Sequence, residues 1–315
     1  MKRSIVLASL AALACATPPR APLPACAQGT AGVPLAYELR APDGRSAFLQ
    51  GSVHFARETE AALDPRATQA LHDANVLVGE LDMADLSPVE MAQTLLAVGR
   101  LPEGQTLKDV LSPETWSLLQ ERAKETHTPL APFEQFKPWV VALTFIGVSL
   151  TDAGYSPEEG VELQVYGGKH PKETRGLETL PDQLSLFDSL SLEQQEAMLR
   201  DALKPTEENA VDLETMFSAW RCGDAPGLEK VLSGMIDSDP DLEPFYEATI
   251  FRRNQTMAKG VEKVLGESDR VFIVVGALHL VGARGIPALL EQAGYRVEQL
   301  RAARPETPAA PAATP

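Results

Sequence analysis

The chain lacks the signatures of the commonest hydrolases and nucleotide enzymes. Its five histidines form no His-Glu-x-x-His pair, and no Gly-x-Ser-x-Gly elbow or Gly-x-x-x-x-Gly-Lys loop occurs. Those absences exclude a zinc helix of the common protease type, a serine nucleophile on a strand-to-helix turn and a phosphate-cradling loop. Basic residues are scarce: 28 Lys and Arg stand against 44 Asp and Glu, for a net charge of −16. So acidic a surface argues against nucleic acid and against docking on anionic lipid.

Long apolar runs are also missing, except at the start. Lys2 and Arg3 precede the apolar stretch from Ser4 to Ala14, and small residues follow. That pattern is a signal peptide, too short for a stable membrane span, so no transmembrane segment is expected once it is removed. Ala14-Cys15-Ala16 and Ala25-Cys26-Ala27 both offer cleavage sites, with a proline-rich tract between them. Two fates stay open, export to the periplasm or beyond and lipidation of Cys15. The missing branched residue three places before Cys15 favours simple export. Loss of residues 1–27 takes the net charge to −19 and leaves Cys222 as the last of three cysteines. If cleavage follows Ala27, the exported protein has no intrachain disulfide. Cys222 has no neighbouring histidine to activate it as a nucleophile.

What the chain does hold is a repeated ending. Phe48-Leu49-Gln50-Gly51-Ser52-Val53-His54 and Phe272-Ile273-Val274-Val275-Gly276-Ala277-Leu278-His279 are each an apolar run closed by Gly-x-x-His. Such runs read as buried strands ending at a turn, and open α/β sheets place their ligand crevices at those ends. Glu80 closes a third run, Val76 to Gly79, and Glu178 lies near a more polar fourth, Thr174 to Leu180. A carboxylate at the end of a buried strand is costly unless paired or ligating. Imidazole with carboxylate suits either a metal site or acid–base work. On composition alone, Arg252-Arg253-Asn254 reads as a solvated helix face. His72, His127 and His170 lack matching partners and read as surface or packing residues.

Leu35–Leu39 and Ser46–Gln50 flank the turn Ala41-Pro42-Asp43-Gly44, which predicts a β-hairpin. A helix is expected from Asp64 to Asn75, with Asp64 as cap. Helix starts at Ser87, Ser112, Lys137 and Ser191 mark a largely helical stretch over about 87–265, including single helices over Leu107–Ala123 and Pro244–Leu265. Strands return at Arg270–Val275 and Tyr295–Glu298. The expectation is one α/β domain over 28–304, its mixed or mostly parallel sheet built from both ends of the chain, flanked by helices and holding a helical central insertion. Residues 305–315, only Pro, Ala, Thr and one Glu, should be a disordered tail.

Six blocks occur in the order of the TraB/PrgY/GumN family: Gly51-Ser52-Val53-His54; Glu80-Leu81-Asp82; Gly176-Leu177-Glu178-Thr179 with Gln183; Trp220-Arg221-Cys222-Gly223-Asp224; Arg253-Asn254 with Met257-Ala258; and Gly276-Ala277-Leu278-His279-Leu280-Val281-Gly282. The chain resembles a GumN-type bacterial member over about Leu35 to Leu300. The resemblance implies a fold like the erythromycin esterases and ChaN, and a relationship to the Tiki metal-dependent proteases. It further implies a site of His54, His279, Glu80 and Arg253, with Gly51, Gly276, Glu178 and Asn254 in support. The chain departs from the family pattern at Ser52, where Thr is frequent, and at Glu162, where Asp is commoner.

The leading expectation is an exported hydrolase acting on a peptide or protein, with manganese, cobalt or zinc held by His54, His279 and Glu80. Glu80 would be a ligand or a base, and Arg253 would hold a carboxylate or an oxyanion. Two rivals stand beside it. One is a binding protein that sequesters a peptide, a metal or haem without turnover, and the other is a metal-free esterase.

Overall fold

The computed structural model describes residues 25–302 except 59, 60, 170, 172 and 239. The expectations for the signal peptide, Cys15, the tail and His170 lie outside the described residues. Six strands form one sheet in the order β4-β3-β5-β2-β1-β6. They are β1 (Ala36–Arg40), β2 (Ser46–Ser52), β3 (Val76–Gly79), β4 (Glu173–Gly176), β5 (Val271–Gly276) and β6 (Arg296–Gln299). Four neighbours, β4, β3, β5 and β2, run parallel. The antiparallel pairs β1–β2 and β1–β6 close the other side. The parallel strands β3 and β5 are apolar on both faces, the pattern of a sheet covered on two sides. The α/β class and the mostly parallel sheet built from both ends are as the sequence implied.

The β1–β2 hairpin turns where it was read, with Gly44 at φ +93° and its N–H donating to the Ala41 carbonyl at 2.9 Å. Helix α1 (Pro65–Asp73) opens on Asp64, whose carboxylate accepts the Arg66 N–H, with Pro65 at its first position. The helical stretch contains α2 (Pro88–Val98), α3 (Leu107–Val110), α4 (Pro113–Glu125), α5 (Pro138–Asp152), α6 (Val161–Gly167), α7 (Leu180–Asp188), α8 (Leu192–Ala202), α9 (Thr206–Arg221), α10 (Ala225–Ser238), α11 (Glu243–Tyr246) and α12 (Arg253–Glu267). A last helix, α13 (Ile286–Gln292), follows β5. Ser87, Ser112, Lys137 and Ser191 are all N-caps.

Two helices are interrupted where single ones were expected. Ser112-Pro113 ends α3 and starts α4, because proline cannot continue a helix from within but suits a first turn. The long helix from Pro244 breaks at a π-helical segment, Glu247–Arg252, ahead of α12. Such segments are frequent at functional sites.

Two apolar cores result. One lies against the sheet and includes Leu49, Val78, Ile273 and Trp220. The other holds the helical layer together through Trp139, Phe145, Leu119 and Leu199. No helix among the described residues is long and apolar enough to cross a membrane.

Cys26, which cleavage after Ala27 would remove, lies within the described residues and has a partner. Cys26 and Cys222 form a disulfide, so the chain does contain an intrachain bridge. Discarding Cys26 with the leader hid its partner. The segment after Cys26 folds back onto the end of α9: the Gly32 N–H donates to the Cys222 carbonyl and the Leu35 N–H to the Trp220 carbonyl, both at 2.9 Å. The Trp220 indole N–H in turn donates to the Gly51 carbonyl at 2.8 Å. Removing the bridge should destabilise the protein by about 2–5 kcal/mol. Urea unfolding of Cys222→Ser, with and without reductant, checks this: the variant should match reduced wild type, and reductant should not lower it further.

Candidate functional site

The parallel strands β4, β3, β5 and β2 all end on one edge of the sheet. β2 and β5 are adjacent, with Gly51 opposite Val275 and Ser52 opposite Gly276. The two Gly-x-x-His turns therefore leave the sheet side by side. β3 flanks β5 with Gly79 opposite Val274, and β4 flanks β3 with Gly176 opposite Gly79. The pairing continues past the strands, since the Glu178 N–H donates to the Glu80 carbonyl at 2.9 Å. Glu178, Glu80, His279 and His54 thus follow four neighbouring strand ends, the place where open sheets bind ligands.

Arg253 joins them from the start of α12. Its Nε donates to Glu178 Oε2 at 2.9 Å, and its Nη2 donates to Glu80 Oε2 in a short ion pair. Its Nη1 donates to the Thr249 carbonyl at 3.0 Å, within the π-helical segment that places it. The reading of Arg253 as a solvated face is therefore corrected: the side chain is 13% exposed, as is that of Glu80. Glu80 is held from the other side by the Gly276 N–H, which donates to Oε1 at 2.6 Å. Here the glycine has a specific use, since a Cβ on Gly276 would lie 3.2 Å from Glu80 Oε1 and 3.3 Å from the His279 ring. Gln183, on α7, donates to both Glu80 and Glu178 at 3.3 Å.

The histidines are set in different ways. His279 is 5% exposed, and its Nδ1 lies 2.6 Å from Asn254 Oδ1. The Asn254 amide nitrogen donates to the Arg284 carbonyl, which leaves its oxygen to accept. His279 Nδ1 therefore carries the hydrogen, an assignment made from the network. His279 Nε2 keeps its lone pair, 3.3 Å from Arg253 Nη1 and 3.7 Å from Glu80 Oε1. His54 is 66% exposed, and its Nδ1 lies 2.8 Å from Glu162 Oε1.

The charges follow the geometry. Burial pushes His279 down to about 4, against the opposing pull of Glu80. The Glu162 carboxylate raises His54 to about 9. Burial would raise Glu80, but the positive groups around it and the Gly276 N–H hold it at about 2. The electrostatic influence of His54 reaches both Glu80 and His279, so all three act within one field.

Gly51 sits at the buried end of β2, its N–H donating to the Leu35 carbonyl at 2.9 Å. His72 and His127 are exposed and lie outside the cluster. Glu162 and Ser52 are the residues to which sequence reasoning gave no role. Glu162 stands in the first turn of α6, where an acid is ordinarily read as serving the helix dipole. Among the described residues, no three His, Cys, Asp or Glu side chains are grouped so as to hold a metal ion.

A family model, TraB/PrgY/gumN family, matches residues 36–299. The chain belongs to this family. It is 24% identical to "Uncharacterized protein YbaP" of Shigella flexneri and of Escherichia coli (strain K12), over 81% of this chain and 91% of each relative. It is also 24% identical to "Metalloprotease TIKI1" of Danio rerio, over 82% of this chain and 62% of that protein. The chain thus spans less than two thirds of the length of this metalloprotease. No solved structure matches.

The buried clamp sets a stability prediction. Glu80→Ala leaves Arg253 paired with Glu178 but strips the Gly276 N–H of its acceptor and should cost about 1–3 kcal/mol, the usual penalty for a buried donor left unsatisfied, measured by urea unfolding at neutral pH.

The histidines should also give stability opposite pH signatures. The His54 contribution is full below its ordinary value of 6.5 and is lost as pH rises toward about 9. His279 takes a proton reluctantly as pH falls from 6.5 toward about 4, so acid destabilises through it. Unfolding midpoints of His54→Ala and His279→Ala, followed from pH 4 to pH 9, should approach wild type at the alkaline and acid ends respectively.

Proposed function

We propose that this chain is a metal-dependent hydrolase of peptide bonds. One observation carries the reading: two imidazoles leave adjacent parallel strands beside a carboxylate–guanidinium clamp, and each ring is held through Nδ1 by a fixed acceptor. Histidines that ligate metals are ordinarily oriented in this way, with the second nitrogen left for the ion. Imidazole and carboxylate are donors that a divalent ion such as manganese, cobalt or zinc takes. His54 and His279 would hold it, with Glu80 beside them, and His54, which Glu162 keeps protonated up to about 9, would give up its Nε2 proton on binding. When bound, such an ion supplies Lewis acidity toward the scissile carbonyl.

The protein groups have distinct tasks. His279, kept neutral by burial, has no proton of its own on Nε2, whose lone pair accepts from Arg253 Nη1 at 3.3 Å until the guanidinium turns away. Glu80 is a poor base while Arg253 holds it, since a useful base has a value near the working pH. Arg253 has a second role, donation to the oxyanion of the attacked carbonyl. Turning toward that oxygen loosens its hold on Glu80 and raises the affinity of Glu80 for the proton of the attacking water. Glu178 and Gln183 keep the guanidinium and the carboxylate in register. Relatives named as metalloproteases support the peptide class. The basic-then-apolar leader and the Cys26–Cys222 bridge support export, since disulfides persist in oxidising compartments. Anchoring through Cys15 is a separate question that the intact mass of the mature protein answers.

The test is reloading of chelator-stripped protein with manganese, cobalt or zinc. Wild type should retain an ion that the His54→Ala/His279→Ala double variant loses. Peptide cleavage, read by mass spectrometry, should fall about 10²–10⁴-fold in Glu80→Gln. Equal ion content in wild type and double variant would sink the metal assignment. A peptide bound but recovered intact would turn the reading to sequestration.

A further inference from the structure

Three consecutive residues at the start of α6 grip three consecutive residues of the first Gly-x-x-His turn. The Val161 N–H donates to the Val53 carbonyl at 3.0 Å. Gly160 lies so close to the His54 carbonyl that a Cβ there would collide with it. Glu162 takes the two side chains that remain, accepting on Oε1 a short hydrogen bond from Ser52 Oγ and the 2.8 Å contact from His54 Nδ1. Ala56 and Ser156 exchange a pair of backbone hydrogen bonds, at 3.1 and 2.8 Å, which fix the same segment just beyond the histidine. The His279 turn has a different support, the Asn254 amide on α12.

This difference gives Glu162 its task. His54 is a mostly exposed ring on a turn, and such a ring would otherwise sample several rotamers. A carboxylate, which only accepts, dictates that Nδ1 carries hydrogen and that Nε2 is presented outward. Ser52 donates to the same oxygen, so Oε1 is held in place from the strand itself. The Glu162 side chain is only 18% exposed, and its Oε2 is buried without a hydrogen-bond partner. An anion kept in that condition is expensive, and the ring it orients is the evident return.

We propose that Glu162, seated by Gly160-Val161 and braced by Ser52, is the positioning residue that aims His54 Nε2 into the site. The functional part of this inference rests on the hydrolase reading above, while the structural part is tested without it. In metal-free protein labelled with ¹⁵N-histidine, the His54 Nδ1–H should appear as a downfield, exchange-protected proton, assigned by its loss in His54→Ala. Glu162→Gln is nearly isosteric and should move that signal upfield and speed its exchange, with the amide spectrum of the sheet unchanged. Ser52→Ala should produce a smaller change in the same direction. Glu162→Asp should restore part of the protection that Glu162→Ala abolishes, which a purely structural role does not predict. An unshifted His54 signal in Glu162→Gln would overturn the proposal. On protein that retains cobalt, Glu162→Gln should weaken ion affinity about 10- to 100-fold; unchanged affinity there would also overturn the functional part. If wild type retains no ion, the metal reading fails, and the ring signal alone decides whether Glu162 positions His54.

Discussion

The site depends on where the negative charge of Glu80 is allowed to rest. An isolated carboxylate at the end of a buried strand is among the costliest groups to bury. This one is stabilised by a backbone N–H of β5 on one side and by Arg253 on the other. Because Arg253 also holds Glu178, one guanidinium ties the ends of β3 and β4 to α12, while Gly276 ties β5 to the same carboxylate. The clamp contains two carboxylates and one guanidinium. That leftover negative charge, on buried side chains beside a neutral imidazole, is the local condition that suits a cationic species.

Much of this arrangement could be read before the fold was known. His54, His279 and Glu80 were legible because each ends an apolar run, and a buried strand followed by a polar residue is a strong local pattern. The hairpin and the helix starts were legible for a similar reason, since turn and cap chemistry is local. Arg253 was legible through the family resemblance and not from its own surroundings. A basic pair inside a helical pattern looks solvated, and only the π-helical segment before α12 turns the side chain inward. Glu162 was harder still, because an acid in a helix's first turn has an ordinary explanation and its real partners, Ser52 and His54, are far away in sequence. The disulfide was not read because cleavage after Ala27 would discard Cys26 and leave Cys222 without a partner.

The helical layer has its own apolar core, so it is more than decoration on the sheet. It carries α7 with Gln183, and α5 leads into the segment that grips the first histidine turn. The two histidines therefore report on two different supports: His54 on the packing of α5 and α6, His279 on the packing of α12 and the π-helical segment. Damage to either support should disturb one ring before the other, because their hydrogen-bond partners share no element.

Strand β5 occupies the slot between β3 and β2, although it is made nearly last. A ribosome delivering this chain from its amino end releases β1 to β4 long before residue 271. Until then the sheet has a gap at its centre, and the two flanking strands have no shared neighbour. Glu80 has no Gly276 to receive, and His54 has no opposite ring. The assembled cluster is therefore a property of the finished polypeptide alone, and a truncated or stalled product carries its parts without their chemistry.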